Sequence, residues 1–256
     1  MSSPPFIVYF EAFDEPWKGG DDGWGLFDVN RKARFVIYDK FPDAAARDGL
    51  NTTPADAVYW KGGAGPLVTE SKFAVYANTV PTGAAVPPTE GDWNWFPWET
   101  TAAGVDTNDT AEGANAVSIT QTPQSWGWGF FYGSASFAAN LSNFSNGHLT
   151  FSIKTTYQGP LEVGFATGST GNSDAVDVYL RMASGSYGFV NDGNWHQVSI
   201  PISELLGHAA PAYSMPSTAH YNLGYVAQPF VIADRYNSAA HPTGTILVDN
   251  VIWTQD

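Results

Sequence analysis

Hydrophobic and polar residues alternate with a period of two in many short segments, a pattern typical of β-strands with one buried face. Clusters of glycine, asparagine and serine at 145–147, 168–173 and 191–194 supply turn residues between these segments. The predicted strands are 72–78, 115–121, 125–132, 148–156, 161–167, 175–182, 195–201, 223–227, 230–233 and 244–253. Residues 202–206 predict one short helical turn capped by Ser203. About ten strands in ~185 residues predict an all-β fold, a β-sandwich of the jelly-roll kind.

Charge and composition divide the chain into unequal parts. The 256 residues contain 25 acidic and 11 basic side chains, a net charge of −14, and six of the basic residues lie within 1–50. Stretches rich in glycine, alanine, proline and threonine at 51–65 and 79–91 are typical of loops. We therefore expect a domain boundary between residues 45 and 70. So acidic a surface repels polyanions, which excludes nucleic acid and disfavours anionic membranes as partners.

Tryptophan is abundant in this acidic, helix-poor sequence, which contains ten tryptophans and no cysteine. Sugar rings present apolar C–H faces that stack on aromatic planes, and their hydroxyls bind amide and carboxylate groups. The combination indicates a secreted protein that handles sugars, with an extracellular or cell-surface location in a bacterium. We expect no membrane insertion, because no run approaches the ~18 apolar residues that a spanning helix needs.

An apolar segment near the start of the chain ends in a cluster of acidic, aromatic and basic residues. Residues 10–18, Phe-Glu-Ala-Phe-Asp-Glu-Pro-Trp-Lys, are followed by Trp-Gly-Leu-Phe-Asp at 24–28. This stretch resembles the last strand and following loop of family 17 glycoside hydrolases, the β-1,3-glucanases. The resemblance implies that Glu15 and Lys18 lie in a sugar cleft and that Trp17 flanks it. Alternatively, the charges belong to an ordinary solvated turn.

The chain lacks the carboxyl pair of such a hydrolase. A retaining glycosidase needs two carboxyl groups ~5 Å apart, whereas Glu11 and Glu15 on a regular strand lie ~13 Å apart. The resemblance places the catalytic glutamates on earlier strands, so we expect no enzyme activity from this chain by itself. The predicted domains are a barrel remnant at 1–50, a linker at 51–69 and a β-sandwich at 70–256.

Three C-terminal segments carry a second resemblance. They are Ser-Trp-Gly-Trp-Gly-Phe-Phe-Tyr-Gly-Ser at 125–134, Gly-Asn-Trp-His-Gln-Val-Ser-Ile-Pro-Ile at 193–202 and Ile-Leu-Val-Asp-Asn-Val-Ile-Trp at 246–253. With the strand plan, they resemble galactose-binding-like carbohydrate-binding modules of bacterial glucanases and agarases. The resemblance implies a non-catalytic module that binds a β-glucan such as laminarin and targets an attached glycoside hydrolase. The alternatives are part of an active β-1,3-glucanase with unrecognised catalytic residues, and a purely structural assembly domain.

Several aromatic groups compete as the sugar site. A segment broken by proline predicts loop tryptophans beside polar residues, although these could instead fill the open end of the sandwich. Trp126 begins a strand and is a candidate for either ligand or core contact, whereas Trp128, Phe130, Trp195 and Trp253 favour the core. The predicted carbohydrate-binding residues are Trp93, Trp95, Trp98, Trp126, Asp92, Asn94 and Tyr187. Further polar candidates, chosen by loop position, are Gln124, Gln228, Asp234 and Arg235.

A structural calcium ion is implied by the second resemblance, with Asp249 of the last strand as one ligand. Calcium takes six to eight oxygen ligands, and the acidic segment 105–113 offers Asp106 and Glu112 as further candidates. An ordinary acidic turn explains the same segment. The five histidines show no zinc-ligand spacing.

Overall fold

The computed structural model divides into two units, Met1–Gly65 and Pro66–Asp256. The structure describes residues 67–86, 93–99, 102–121, 123–132, 138–168, 175–212, 219–235 and 242–256, all in the second unit. The predicted barrel remnant with Glu15, Trp17 and Lys18 lies outside the described residues, as does Asp92. These assignments, like the domain limits, stay predictions.

Thirteen strands form two sheets in the described part of the chain. They are β1 (Lys72–Tyr76), β2 (Ala84–Ala85), β3 (Trp93–Glu99), β4 (Ala102–Asp106), β5 (Ala116–Thr120), β6 (Trp126–Tyr132), β7 (His148–Thr155), β8 (Leu161–Thr167), β9 (Val176–Met182), β10 (Trp195–Pro201), β11 (Ala209–Pro211), β12 (Val226–Asp234) and β13 (Thr245–Thr254). A seven-stranded sheet has the order β10–β7–β13–β1–β2, with β5 also paired to β13 and β4 to β5. A six-stranded sheet has the order β11–β9–β8–β12–β6–β3. The predicted β-sandwich of jelly-roll type is confirmed.

The inner faces of the two sheets pack together as the hydrophobic core. Strand β7 shows why, since every second side chain of its eight residues is buried. Rings from both sheets meet there, with the centroids of Phe165 and Trp253 4.8 Å apart and those of Phe151 and Phe230 5.1 Å apart. The indole N–H of Trp253 donates to the carbonyl of Pro229 at 2.9 Å, which satisfies its polar atom within the core. The prediction that Trp253 is core is confirmed.

Three local predictions were wrong. The segment around Pro97, predicted as a loop, is strand β3 at the edge of the six-stranded sheet. An edge strand tolerates proline because its missing N–H need not join the ladder, and Pro97 is exposed. The helix α1 (Ile202–Leu206) has Pro201 at its N-cap position and no side-chain cap, so Ser203, which lies inside the helix, does not cap it. Trp195, predicted as core, is only partly buried.

Candidate functional site

Small residues line the outer face of the six-stranded sheet. Core residues Val163, Ile232 and Trp128 are register partners across β8, β12 and β6, and their side chains are buried between the sheets. Since successive side chains of a strand point to opposite faces, the neighbouring positions face outward. Those outward positions are Gly127, Gly129, Gly164, Ala166, Val231 and Ala233. The middle of this face, which we call the small-residue floor, therefore lacks bulky side chains, and all six of its positions are buried from solvent.

Larger polar residues stand at one side of this floor. Strand β9 buries Val176, Val178, Leu180 and Met182 in the core. The alternate residues Asp177, Tyr179 and Arg181 therefore belong to the outer face. The β8–β9 register pairs Ala166 with Asp177, Gly164 with Tyr179 and Glu162 with Arg181. Strand β12 ends one residue before Arg235, which reaches the same group.

Arg235 organises these residues into a fixed cluster. Its Nε and Nη2 donate to the two carboxylate oxygens of Glu162 at 2.9 and 2.8 Å, a bidentate pair. Its Nη1 donates to Asp177 at 2.7 Å. The guanidinium carbon lies 4.4 Å from the ring centroid of Tyr179, so one face of the guanidinium is stacked on the phenol. We call Arg235, Glu162, Asp177 and Tyr179 the arginine cluster.

Burial differs among the members of the arginine cluster. The side chain of Glu162 is only 2% exposed, that of Asp177 is 19% exposed and that of Arg235 is 36% exposed. The arginine therefore forms the accessible part, with Glu162 beneath it. With Arg181, which is exposed on the same strand face, the group contains two positive and two negative side chains. Such an arrangement offers directed donors and acceptors with no net charge, which suits a neutral ligand with many hydroxyl groups.

Burial and neighbouring charges fix the protonation of Arg235 and Tyr179. Burial alone would lower the pKa of Arg235, but the hydrogen bonds and charge of Glu162 raise it above its usual value. Burial raises the pKa of Asp177, and the charge of Arg235 opposes that rise. Burial also raises the pKa of Tyr179, an effect to which the charge of Asp177 adds. Tyr179 thus remains a neutral hydroxyl and Arg235 remains a cation at neutral pH.

The three predicted tryptophans of β3 lie at the other edge of this sheet. Trp93 pairs with Tyr132, Trp95 with Phe130 and Trp98 with Gly127. Position 98 is thus next to the small-residue floor, on the side away from the arginine cluster. Asn94, another predicted ligand residue, pairs with Phe131 on the same two strands. The side chains of these four residues are outside the described part of the structure.

Trp126 belongs to the core. Its side chain is fully buried, and its indole N–H donates to the Tyr157 hydroxyl at 3.0 Å. That hydroxyl donates to the carboxylate of Asp234 at 2.7 Å, and Asp234 is itself fully buried. Of the two roles that the sequence allowed for Trp126, ligand contact is therefore wrong in this structure. Asp234 is likewise unavailable to a ligand, although it directly precedes Arg235 in the chain.

Tyr187 lies away from the other candidates. Its carbonyl accepts the N–H of Ser199 in β10, which is the edge strand of the other sheet. Its hydroxyl donates to Glu204 at 3.2 Å.

Sequence analysis missed three members of the arginine cluster, Glu162, Asp177 and Tyr179. The available signal was the presence of polar residues at alternate positions of strands whose other residues are apolar.

The predicted calcium ligands surround the start of β5. The Asp249 carboxylate accepts backbone N–H groups of Ala111, Glu112 and Asn250 at 2.9, 3.0 and 2.8 Å. Burial raises the pKa of Asp249, and the nearby charge of Glu112 adds to the rise. Asp106 instead accepts the N–H groups of Asn108 and Asp109 within its own turn. In the described residues no group of three or more histidine or acidic side chains is close enough to hold a metal ion.

A family comparison matches most of the second unit. The sequence model described as carbohydrate binding domain 30 matches residues 88–255. This range includes β3, the small-residue floor and every member of the arginine cluster. No curated protein matches the chain. Within the described residues, no helix has the length and apolar character needed to cross a membrane.

Solved structures of similar modules include members of two families. A family 30 carbohydrate-binding module has 16% identity and a TM-score of 0.47, over 72% of this chain and 99% of that module. The family 30 module of a cellulosomal cellulase from Clostridium thermocellum has 19% identity and a TM-score of 0.45, over 72% of this chain and 92% of that one. A family 11 module from the same organism, in complex with a β-1,3-1,4-mixed-linked tetrasaccharide, has 14% identity and a TM-score of 0.42, over 66% of this chain and 91% of that one.

Proposed function

Because the chain belongs to carbohydrate-binding family 30, we propose that it binds a neutral β-glucan on the outer face of its six-stranded sheet. A laminarin-like β-1,3-glucan is the proposed polysaccharide. The resemblance of residues 10–18 to β-1,3-glucanases supports this choice, as does the abundance of tryptophan. Neutral sugars also need no basic surface, which agrees with a net charge of −14.

The arginine cluster is the observation that carries the proposal. Its guanidinium plane is held by two carboxylates and stacked on Tyr179, so it loses little freedom when a ligand binds. The other face of the guanidinium is directed away from Tyr179, where a sugar ring can lie against it. The small-residue floor separates this cluster from the tryptophans of β3. We propose that a glucan ring lies against the accessible guanidinium of Arg235, which is 36% exposed, with Trp98 at the other edge of the sheet as a second candidate contact.

Titration calorimetry with laminarin and laminarihexaose tests the proposal. We expect binding by the parent protein, and at least tenfold weaker binding after Arg235→Lys, which keeps the charge but loses the bidentate fork. Tenfold corresponds to about 1.4 kcal/mol. Trp98→Ala is expected to weaken binding by a similar factor, because stacking area is lost.

The matched control is Thr120→Ala, an exposed residue of β5 in the other sheet, which should bind like the parent. A mixed-linkage β-glucan and a cello-oligosaccharide serve as further probes of linkage. Absence of heat with all of these sugars would refute the β-glucan proposal. Unchanged affinity in both site variants would refute the proposed position of the site.

We also propose a structural calcium ion held by Asp249 and Glu112. Burial raises the pKa of Asp249 and the nearby charge of Glu112 adds to the rise, and a divalent cation would offset both effects. We expect calcium to raise the melting temperature by about 5 °C relative to EDTA, since saturation at 100 times Kd stabilises by about 2.7 kcal/mol. Asp249→Asn should abolish the difference and Asp106→Asn should retain it. Identical melting in calcium and EDTA contradicts the proposal.

The biological setting follows from the same proposal. A binding module raises the local concentration of an attached enzyme on its polysaccharide by converting later encounters into intramolecular ones. We propose that this module targets a glycoside hydrolase at an extracellular or cell-surface location in a bacterium. The barrel-like motif at residues 10–18 supports a hydrolase as the attached partner.

A further inference from the structure

Trp195 is an aromatic residue on a polar face. It is the first residue of β10, at the edge of the seven-stranded sheet, and it pairs with Lys154 of β7. Val198 and Ile200 of β10 are buried in the core, while Gln197 and Ser199 are exposed. Trp195 shares its strand face with the latter pair. A partly exposed tryptophan among glutamine, serine and lysine is therefore not explained by core packing.

Two polar side chains fix the indole of Trp195. Its N–H donates to one carboxylate oxygen of Asp109 at 2.8 Å, and the ammonium of Lys154 donates to the other at 2.6 Å. The bonds from Lys154 and then Trp195 lower the pKa of Asp109, so its carboxylate stays charged at neutral pH. All three side chains are partly solvent-accessible. The orientation of the ring is thus set before any ligand binds, which reduces the entropy cost of binding.

The turn that precedes β10 adds further polar groups. Asp192 accepts the backbone N–H of Asn194 at 2.9 Å and contacts the His196 ring at 2.8 Å. Asp192 and Asn194 are exposed, as is Asn108 beside Asp109. An oriented indole surrounded by carboxylate, amide and ammonium groups has the composition of a sugar subsite. It lacks the apolar surroundings expected of the centre of a protein–protein contact.

We propose that Trp195, Asp109 and Lys154 form a second carbohydrate-binding site. A hexose ring of a polysaccharide would stack on the indole, with its hydroxyls bonded to Asp109 and Lys154. This inference rests on the proposed function, but it uses the outer face of the seven-stranded sheet and shares no residue with the arginine cluster. Two sites on opposite faces of the sandwich allow one molecule to contact two polysaccharide chains, which increases avidity without stronger individual contacts.

Fluorine NMR of protein labelled with 5-fluorotryptophan tests this site directly. The resonance of Trp195 is assigned by its loss in Trp195→Phe, and laminarihexaose is then added up to millimolar concentration. We expect the Trp195 resonance to shift with sugar in the parent protein and equally in Arg235→Lys, which weakens only the first site. Asp109→Asn should weaken the sugar dependence of that resonance at least fivefold, because the ring loses its charged partner. Glycerol at equal concentration is the control for solvent effects and should cause no shift.

The possible outcomes separate the two sites. If other tryptophan resonances shift while that of Trp195 does not, the second site is refuted and the proposed function stands. In that case Trp195 only holds the segment around Asp109 against the sheet through its hydrogen bond. Trp195→Phe then lowers the melting temperature without changing sugar binding. If no resonance responds to laminarihexaose or to a mixed-linkage tetrasaccharide, both proposals fail. If the Trp195 shift disappears in Arg235→Lys, the sites are not independent and the inference is refuted.

Discussion

Gly164→Ala is expected to destabilise the protein by about 3–5 kcal/mol, at the upper end of the range for a single substitution. A Cβ atom at position 164 would overlap the Val178 carbonyl oxygen and lie 3.0 Å from the Tyr179 Cα. Both are backbone atoms of β9, so no side-chain rotation relieves the overlap. The β8–β9 ladder, in which Gly164 pairs with Tyr179, would have to separate. Urea denaturation measures the loss as a lower midpoint.

Gly104→Ala is the matched control for this substitution. Gly104 also lies within a strand, β4, but a Cβ atom there would meet no other atom within 4 Å. Replacing glycine with alanine at such a position is expected to stabilise by about 0.4–1 kcal/mol, because the unfolded chain loses freedom. A Gly164→Ala protein within 1 kcal/mol of the parent would show that the two strands do not approach so closely. Failure of Gly164→Ala to fold, with Gly104→Ala folded, supports the prediction.

The alternation of apolar and polar residues was enough to predict most strands of the sandwich. Strands β8 and β10 have the predicted limits because period-two patterns are bounded there by turn residues. Strand β3 was missed because Pro97 and consecutive aromatic residues interrupt its alternation. Its strand conformation depends on pairing with β6, a long-range interaction that no local pattern contains. Residues 226–227 of the predicted segment 223–227 and all of 230–233 belong to one strand, β12, because Gln228 and Pro229 continue it, whereas residues 223–225 precede the strand.

The candidate site was harder to predict than the fold. Glu162, Asp177 and Arg235 belong to three separate segments, and only the register of β8 with β9 and β12 brings them together. Alternation also showed that Trp126 and Trp128 share a face, but not whether that face is buried. The hydrogen bond of Trp126 to Tyr157 decides in favour of the core, and its partner comes from a distant loop. The sequence thus indicated a carbohydrate ligand, which the family match supports, but of the arginine cluster it named only Arg235.

Arg235→Ala is expected to cost about 3 kcal/mol of stability at neutral pH. The substitution leaves the Glu162 carboxylate without its bidentate partner, and that side chain is only 2% exposed. Removing one member of a buried ion pair costs about 3–5 kcal/mol, and the lower end applies because Arg235 is itself 36% exposed. Urea denaturation provides the measurement. Arg181→Ala, which removes an exposed arginine of the same sheet face, should cost less than about 1 kcal/mol.

Combining Arg235→Ala with Glu162→Gln separates stability from binding. The neutral amide removes the uncompensated charge, so the double variant should regain at least about 1 kcal/mol relative to Arg235→Ala. It should nevertheless fail to recover laminarihexaose binding, because the oriented guanidinium is still missing. A double variant less stable than Arg235→Ala would show that the Glu162 carboxylate is not left uncompensated when the arginine is removed. Recovery of binding together with stability would show that Arg235 only maintains the fold and does not contact sugar.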